Sequence, residues 1–215
     1  MAVRDALLAL LSAGPGYGFQ LHGDLAGRTG GRRRVNVGQS YATLERLGKQ
    51  ELVESAGTTD DGLPLYRATA AGSAATSAWF AGTDASGSDP WDETVDRVLV
   101  AASLPGVDAG PIVAAERVRW RERERATSAR STPDADASAE TAADALAAAR
   151  LVALAAAAES ARATAVLSWL DAVDAASAAG DLSFATRLER PRRGRPSATK
   201  PGDARAEPGQ ASTEA

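Results

Sequence analysis

Asn36-Val37-Gly38-Gln39-Ser40-Tyr41-Ala42-Thr43-Leu44-Glu45-Arg46-Leu47 is the stretch on which the fold turns. Asn36 is a good helix N-cap, and Gln39 stands three residues on, the spacing of a capping box that satisfies two orphan amide donors. At about 100° per residue, Val37, Tyr41, Leu44 and Leu47 fall on one side, while Gln39, Thr43, Arg46 and Gln50 gather on the other. An aliphatic back with a front of Gln, Thr and Arg suits a DNA major groove. There such side chains meet base edges, and Arg grips guanine through two bonds. A polar front is also the rule for surface helices, so this helix alone decides nothing.

Its neighbours do more. Upstream, Val3, Leu7, Leu10 and Leu11 share a helical stripe that ends at the breaker Ser12-Ala13-Gly14-Pro15-Gly16. Tyr17, Leu21 and Leu25 mark a second helix running to about Arg28. Gly14-Pro15-Gly16-Tyr17-Gly18 is not a dinucleotide loop, because the third glycine is missing and no strand precedes it. Thr29-Gly30-Gly31 makes a turn into Arg32-Arg33-Arg34, three cations just ahead of a capped helix and therefore candidate phosphate clamps. Downstream, residues 52–56 and 64–68 read as two strands around a tip, Thr58-Thr59-Asp60-Asp61-Gly62. Thr69 then caps a helix over Ala70–Phe80. Helix, helix, helix, hairpin is the order of a winged helix-turn-helix.

In that order and spacing the chain resembles the PadR-like transcriptional regulators. The resemblance is carried by Ala6–Leu11 followed by Gly14–Leu21, by Val35–Leu47 with Leu52-Val53-Glu54, and by Tyr66–Gly72. It spans roughly residues 3–81 and departs at Glu51, where the family usually has Gly. Glycine supplies a left-handed residue there cheaply and glutamate does so at about 1 kcal/mol, so either Gly48 or Gln50 moves the helix end or the turn is mildly strained. The resemblance implies a homodimer whose C-terminal helices pair two subunits, and a small aromatic or drug-like effector that releases a repressor from DNA. An effector pocket is expected between the reading domain and the long helices, with Trp79, Trp91, Trp120 and Trp169 as aromatic candidates.

Composition is compatible. The chain has 215 residues, 44% hydrophobic, no cysteine, one histidine and a net charge of −4. Without cysteine there is neither a disulfide frame nor a thiolate metal site, and a reducing cytoplasmic location fits. The N-terminus reads as neither a signal peptide nor a membrane span, and no membrane partner is expected. Residues 1–81 hold 8 basic and 7 acidic groups, residues 82–180 hold 9 and 16, and residues 181–215 hold 7 and 5. The acidity is therefore concentrated away from the proposed reading module, although a balance of +1 is low for a DNA-binding domain. His22, alone on a support helix, has no nucleophile or second ligand at a useful spacing. No enzyme, metal or cofactor is expected.

The expected fold is mainly α with a small β-wing: a winged helix-turn-helix over residues 1–81, a linker over 82–91, a helical dimerisation and effector region over 92–180, and a disordered basic tail over 181–215. Helices are expected at Glu93–Leu104, Ile112–Arg125 and Ala139–Ala178. On the last, Val152, Val166, Trp169, Leu170 and Val173 form the dimerisation stripe. Glu159 and Arg162 lie in or beside that stripe, either as a polar layer or at its edge. In the tail, Arg193-Gly194-Arg195-Pro196 resembles an AT-hook, whose arginines Arg193 and Arg195 would lie in a narrow minor groove.

The functional expectation is a homodimeric repressor on an inverted-repeat operator. Gln39, Thr43, Arg46 and Gln50 are expected to read bases. Arg32, Arg33, Arg34, Ser40, Tyr41 and Lys49 are expected to meet phosphates, with Arg67 as the wing's remaining cation. The alternative is a nucleoid-associated or protein-interaction module with little DNA sequence preference.

Overall fold

A computed structural model of the chain describes residues 2–85, 87–130 and 142–186. The helices are α1 (Ala2–Ser12), α2 (Gly18–Arg28), α3 (Val37–Lys49), α4 (Ala70–Phe80), α5 (Pro90–Ser103), α6 (Gly110–Arg130) and α7 (Ala142–Ala179). The strands are β1 (Gly16–Tyr17), β2 (Val53–Thr58) and β3 (Pro64–Ala68). They form an antiparallel sheet in the order β1-β3-β2, with Gly16 opposite Tyr66 and Glu54 opposite Arg67. This is a winged helix with a helical C-terminal region, as the sequence leads one to expect. The two-residue β1 is an addition to that expectation, being too short to carry a period.

α1 is the centre of the first core. Ala6 to Leu11 are all buried, on every side of the helix rather than along one stripe. An unbroken apolar run is what a helix enclosed all round requires, and α1 touches α2, α4, α5 and β3. Leu21, Leu25, Leu44, Leu47, Val53 and Trp79 complete this core together with Val100 and Leu104 of α5. The second core joins Val98 and Ala101 of α5 to Ile112, Val113 and Trp120 of α6 and Ala163, Val166, Leu170 and Val173 of α7. One helix, α5, therefore contributes to both cores.

α3 begins and ends for reasons visible in its sequence. Asn36 accepts from the Gln39 amide at 2.7 Å, and the Gln39 side chain accepts from the Asn36 amide at 3.2 Å, which completes the capping box. At the other end, the Glu51 amide donates to Gly48 O and the Leu52 amide to Leu47 O, a Schellman closure around Glu51 at φ 58°. Thr69, the α4 cap, accepts from the Gly72 amide and donates to Glu51 O, so the turn and α4 lock together. A Cβ on Gly72 would sit 2.1 Å from Leu52 O, which only glycine avoids.

α7 has 38 residues and spans about 57 Å. Ala163, Val166, Leu170 and Val173 in its second half pack with α6, whereas Leu146, Leu151, Val152 and Leu154 in its first half are exposed. Leu146–Ala179 is long and apolar enough by composition to cross a membrane. Much of that hydropathy is alanine, and Asp171 and Asp174 tie the helix to Arg117 of α6.

Replacing Glu51 by Gly should remove the left-handed penalty and raise unfolding free energy by about 1 kcal/mol, read from urea denaturation. No change, or a loss, would show that the turn is not strained.

Candidate nucleic-acid interface

α3 exposes a face rotated from the one its apolar periodicity suggests. Ser40 and Thr43 are buried along with Leu44 and Leu47, whereas Tyr41 remains partly exposed. The outward ridge is therefore Gly38, Ala42, Glu45 and Lys49, with Gln39, Arg46 and Gln50 along one flank and Tyr41 and Gly48 along the other. Thr43 does not face outward to read bases: its hydroxyl donates to Gln39 O at 2.8 Å and accepts from Arg46 at 3.1 Å. Ser40 is fully buried and presents no hydroxyl to a phosphate. Tyr41 does not enter the core. Its ring lies over Gly18, where a Cβ would stand 2.5 Å from ring carbons.

The remaining expected contacts differ in availability. Gln39 is exposed, but its side-chain oxygen is committed to the capping box, leaving the amide NH2. Arg46 is exposed and folded back along its own helix onto Ala42 O and Thr43. Gln50, the C-cap, and Arg34 are exposed. Lys49 pairs with Glu45 at 2.7 Å and Arg67 with Glu54 at 2.7 Å; all four side chains are exposed, so these pairs yield easily to a competing anion. The wing holds little positive charge, and Asp61 at its tip accepts from Thr59. A groove of about 660 Å³ separates α3 from the wing, walled by Tyr41, Ala42 and Glu45 on one side and by Val53, Ser55 and Tyr66 on the other.

Arg32 and Arg33 are not free clamps. Arg33 reaches Asp96 of α5 at 2.5 Å and Asp92 at 3.2 Å, and Arg32 reaches Asp92 at 2.8 Å. Burial raises the Asp96 carboxyl above the ordinary range despite these arginines. Burial also works against the charge of Arg33, but Asp96 and Asp92 outweigh it and hold its proton more tightly. The pairing spans about 60 residues of sequence, so an arginine tract read in isolation gives no sign of it.

Behind the interface lies a buried polar junction that sequence reasoning missed. Arg97 of α5 donates to Glu116 of α6 and to Asp84 of the connecting segment. Glu116 also accepts from Arg119 and from Thr94 at 2.9 Å, and Thr94 accepts from the Trp120 indole at 2.9 Å. Trp79 of α4 donates to Glu93 at 2.9 Å. Burial alone would raise the Glu116 carboxyl, but Arg119 and Arg97 overcome it and hold it below the usual range. Apolar neighbours on either side, Val98 beside Arg97 and Val113 one turn before Glu116, are the only local hint that these charges turn inward.

The C-terminal region is tied in at two further places. Arg162 of α7 pairs with Asp89, the α5 N-cap, so Arg162 belongs to an intrachain contact rather than a polar layer between subunits. Arg28 of α2 is buried; it donates to Ser103 O and to Phe184 O at 2.9 Å, with its guanidinium 4.4 Å from the Phe184 ring centroid. Val166, Leu170 and Val173 fill the chain's own second core, and Trp169 packs edge-on against Trp91, so only Val152 of the expected stripe is open to a partner. Trp79 and Trp120 are buried with their indole N–H groups bonded. A cleft of about 400 Å³ separates α3 from the start of α5, lined by Val3, Val35, Gln39, Ala42, Arg46 and Asp92 among others. Arg193 and Arg195 lie outside the described residues.

Comparison with known proteins bears on the first half of this architecture. The family model described as Transcriptional regulator PadR-like family matches residues 7–78, which run from α1 into α4. No curated protein matches the chain. Among solved structures, Bacillus subtilis PadR in complex with operator DNA aligns over 80% of this chain and 96% of its own, at 17% identity and a TM-score of 0.35.

Glu116→Gln should cost about 3–5 kcal/mol in urea unfolding, because it leaves Arg97 buried with much of its compensation gone. The Glu116 carboxyl titrates below its ordinary range when folded. Its stabilisation is therefore full above the unfolded-state pKa and is lost as pH falls through the lower folded value, so the gap between wild type and variant should close on acidification. A constant gap down to acid pH would mean that the carboxylate charge is not what holds the junction.

Proposed function

We propose, from the match of residues 7–78 to the PadR-like family of transcriptional regulators and from the surface of α3, that the chain is a homodimeric repressor that places α3 in the major groove of an inverted-repeat operator. The observation that carries this is the outward ridge of α3. Gly38 and Ala42 are small and central, so the helix backbone can come close to the groove floor, and Ala42 offers a methyl to thymine. Arg46, Gln39 and Gln50 flank the ridge within reach of base edges, and Lys49 and Arg34 supply phosphate contacts. Arg46 reaches a base by leaving Ala42 O and Thr43, which exchanges two hydrogen bonds on its own helix for a bidentate one.

The first half of α7 supports dimerisation. Leu151 and Leu154, one turn apart, are about two-thirds exposed and belong to neither core. A second copy supplies their cover and sets two α3 helices about one DNA turn apart, or a multiple of it. The cleft between α3 and α5 is the effector site we favour. Its apolar floor of Val3, Val35 and Ala42 and its charged rim suit a small aromatic molecule, and anything bound there touches Gln39 and Arg46 directly. A ligand releases the operator only by favouring the conformation that binds DNA less well. A cytoplasmic location is the one this role requires.

Selection of bound genomic fragments at near-physiological salt tests the reading. An inverted repeat bound about 10³-fold or more above random duplex is expected, and a ratio near one would favour the nucleoid-associated alternative. Within the operator, Arg46→Ala should cost about 1–3 kcal/mol and relax preference at one position, whereas Lys49→Ala should weaken all sequences alike and lower the salt slope by about 1. Sedimentation should show a dimer that Leu151→Glu with Leu154→Glu converts to monomers; a monomeric wild type would remove the symmetric operator.

A further inference from the structure

Arg32 and Arg33 stand just ahead of the α3 N-cap, where a DNA strand passes if α3 enters a major groove, so any role for them at the DNA backbone rests on the DNA-binding reading. Both arginines are already engaged by α5, and their two carboxylate partners are not equivalent. Asp96 is fully buried, and it takes Arg33 at 2.5 Å and Arg32 at 3.9 Å. Asp92 is 42% exposed by its side chain; one of its oxygens takes Arg32, itself 35% exposed, at 2.8 Å, and the other takes Arg33 at 3.2 Å. The first pair is fixed and the second is exchangeable.

A carboxylate and a phosphate offer an arginine the same kind of paired oxygens. The geometry points to Asp92 as an internal competitor for DNA phosphate: it holds Arg32 in the free protein and surrenders it to the duplex, while Asp96 keeps Arg33 and the loop seated on α5. Asp92 thereby sets affinity without touching a base. After the exchange its carboxylate keeps Arg33 at 3.2 Å but has lost Arg32 while facing the phosphates; a cation drawn in at Arg32's former place means that one fewer ion is released on binding than the arginine count suggests. The end of α5 that carries Asp92 is also held from the other side, since Asp89 pairs with Arg162 of α7.

The test uses the full chain with Asp92→Asn, Asp92→Ser, Arg32→Gln and the Arg32→Gln/Asp92→Asn double variant, each checked for an unchanged melting profile. They are titrated against the selected operator and a random duplex across a salt series. Asp92→Asn and Asp92→Ser should bind both duplexes about three-fold tighter at physiological salt, the scale of an exposed ion pair, with a log–log salt slope steeper by about 0.9. The double variant should lose the whole gain. If the wild type binds and both Asp92 variants match it in affinity and slope, the competitor role alone is overturned. A gain that survives Arg32→Gln also overturns it, because Asp92 would then act as a nearby charge and not through Arg32. Absence of duplex binding by wild type and variants alike overturns the DNA reading and the competitor role together.

Discussion

Arg97 and Glu116 are both shut off from water, and each is compensated chiefly by the other and by groups drawn from three different segments. Burying a charge costs several kcal/mol, recovered only when geometry and additional hydrogen bonds are complete. Here completeness requires Asp84 from the segment after α4, Thr94 and Arg97 from α5, and Arg119 from α6 to arrive together. A hydrophobic cluster would tolerate sliding of these elements over one another. A charged junction with directional bonds does not, so it fixes the angle at which the reading domain meets the helical region.

That constraint explains why α5 belongs to both cores. Val100 and Leu104 face α1, and Val98 and Ala101 face α6 and α7. The segment before α5 looks like a flexible linker by composition, with its Gly, Ser and Asp, yet Asp84 is bonded to Arg97 and Asp89 to Arg162. Composition reports what a segment is able to do when unattached; it does not report that two of its carboxylates are held by arginines lying 13 and 73 residues further on.

The same distinction separates what is legible in the sequence from what is not. The limits of α3, its capping box and the left-handed turn at Glu51 are local, decided by neighbouring residues, and can be read directly. So can the wing and the Thr69 cap. The face of α3 cannot, because periodicity scores apolar residues and this helix buries Ser40 and Thr43. A small polar side chain that satisfies itself on its own helix, as Thr43 does on Gln39 O, buries at little cost and shifts the apparent stripe. The stripe on α7 misleads for a related reason: Val166, Leu170 and Val173 do pack, but on α6 of the same chain. Helical spacing gives a buried face without saying whose surface covers it.

The junction holds α5 at Arg97, which Glu116 and Asp84 bind from α6 and from the segment after α4; α5 is held differently at its start. Its N-terminal turn is the place where the contacts are weakest. Asp96 is buried and Arg97 locked, whereas Asp92 and Asp89, one and two turns earlier, sit in exposed ion pairs with Arg32 and Arg162. Exposed pairs of this kind are worth well under the cost of breaking the junction. The exposed first turns are therefore the stretch of α5 that can shift at least cost to either core. Two exposed ion pairs on those turns join the loop before α3 to α5 and α5 to α7, while Asp96 and Arg97 further along the helix are buried.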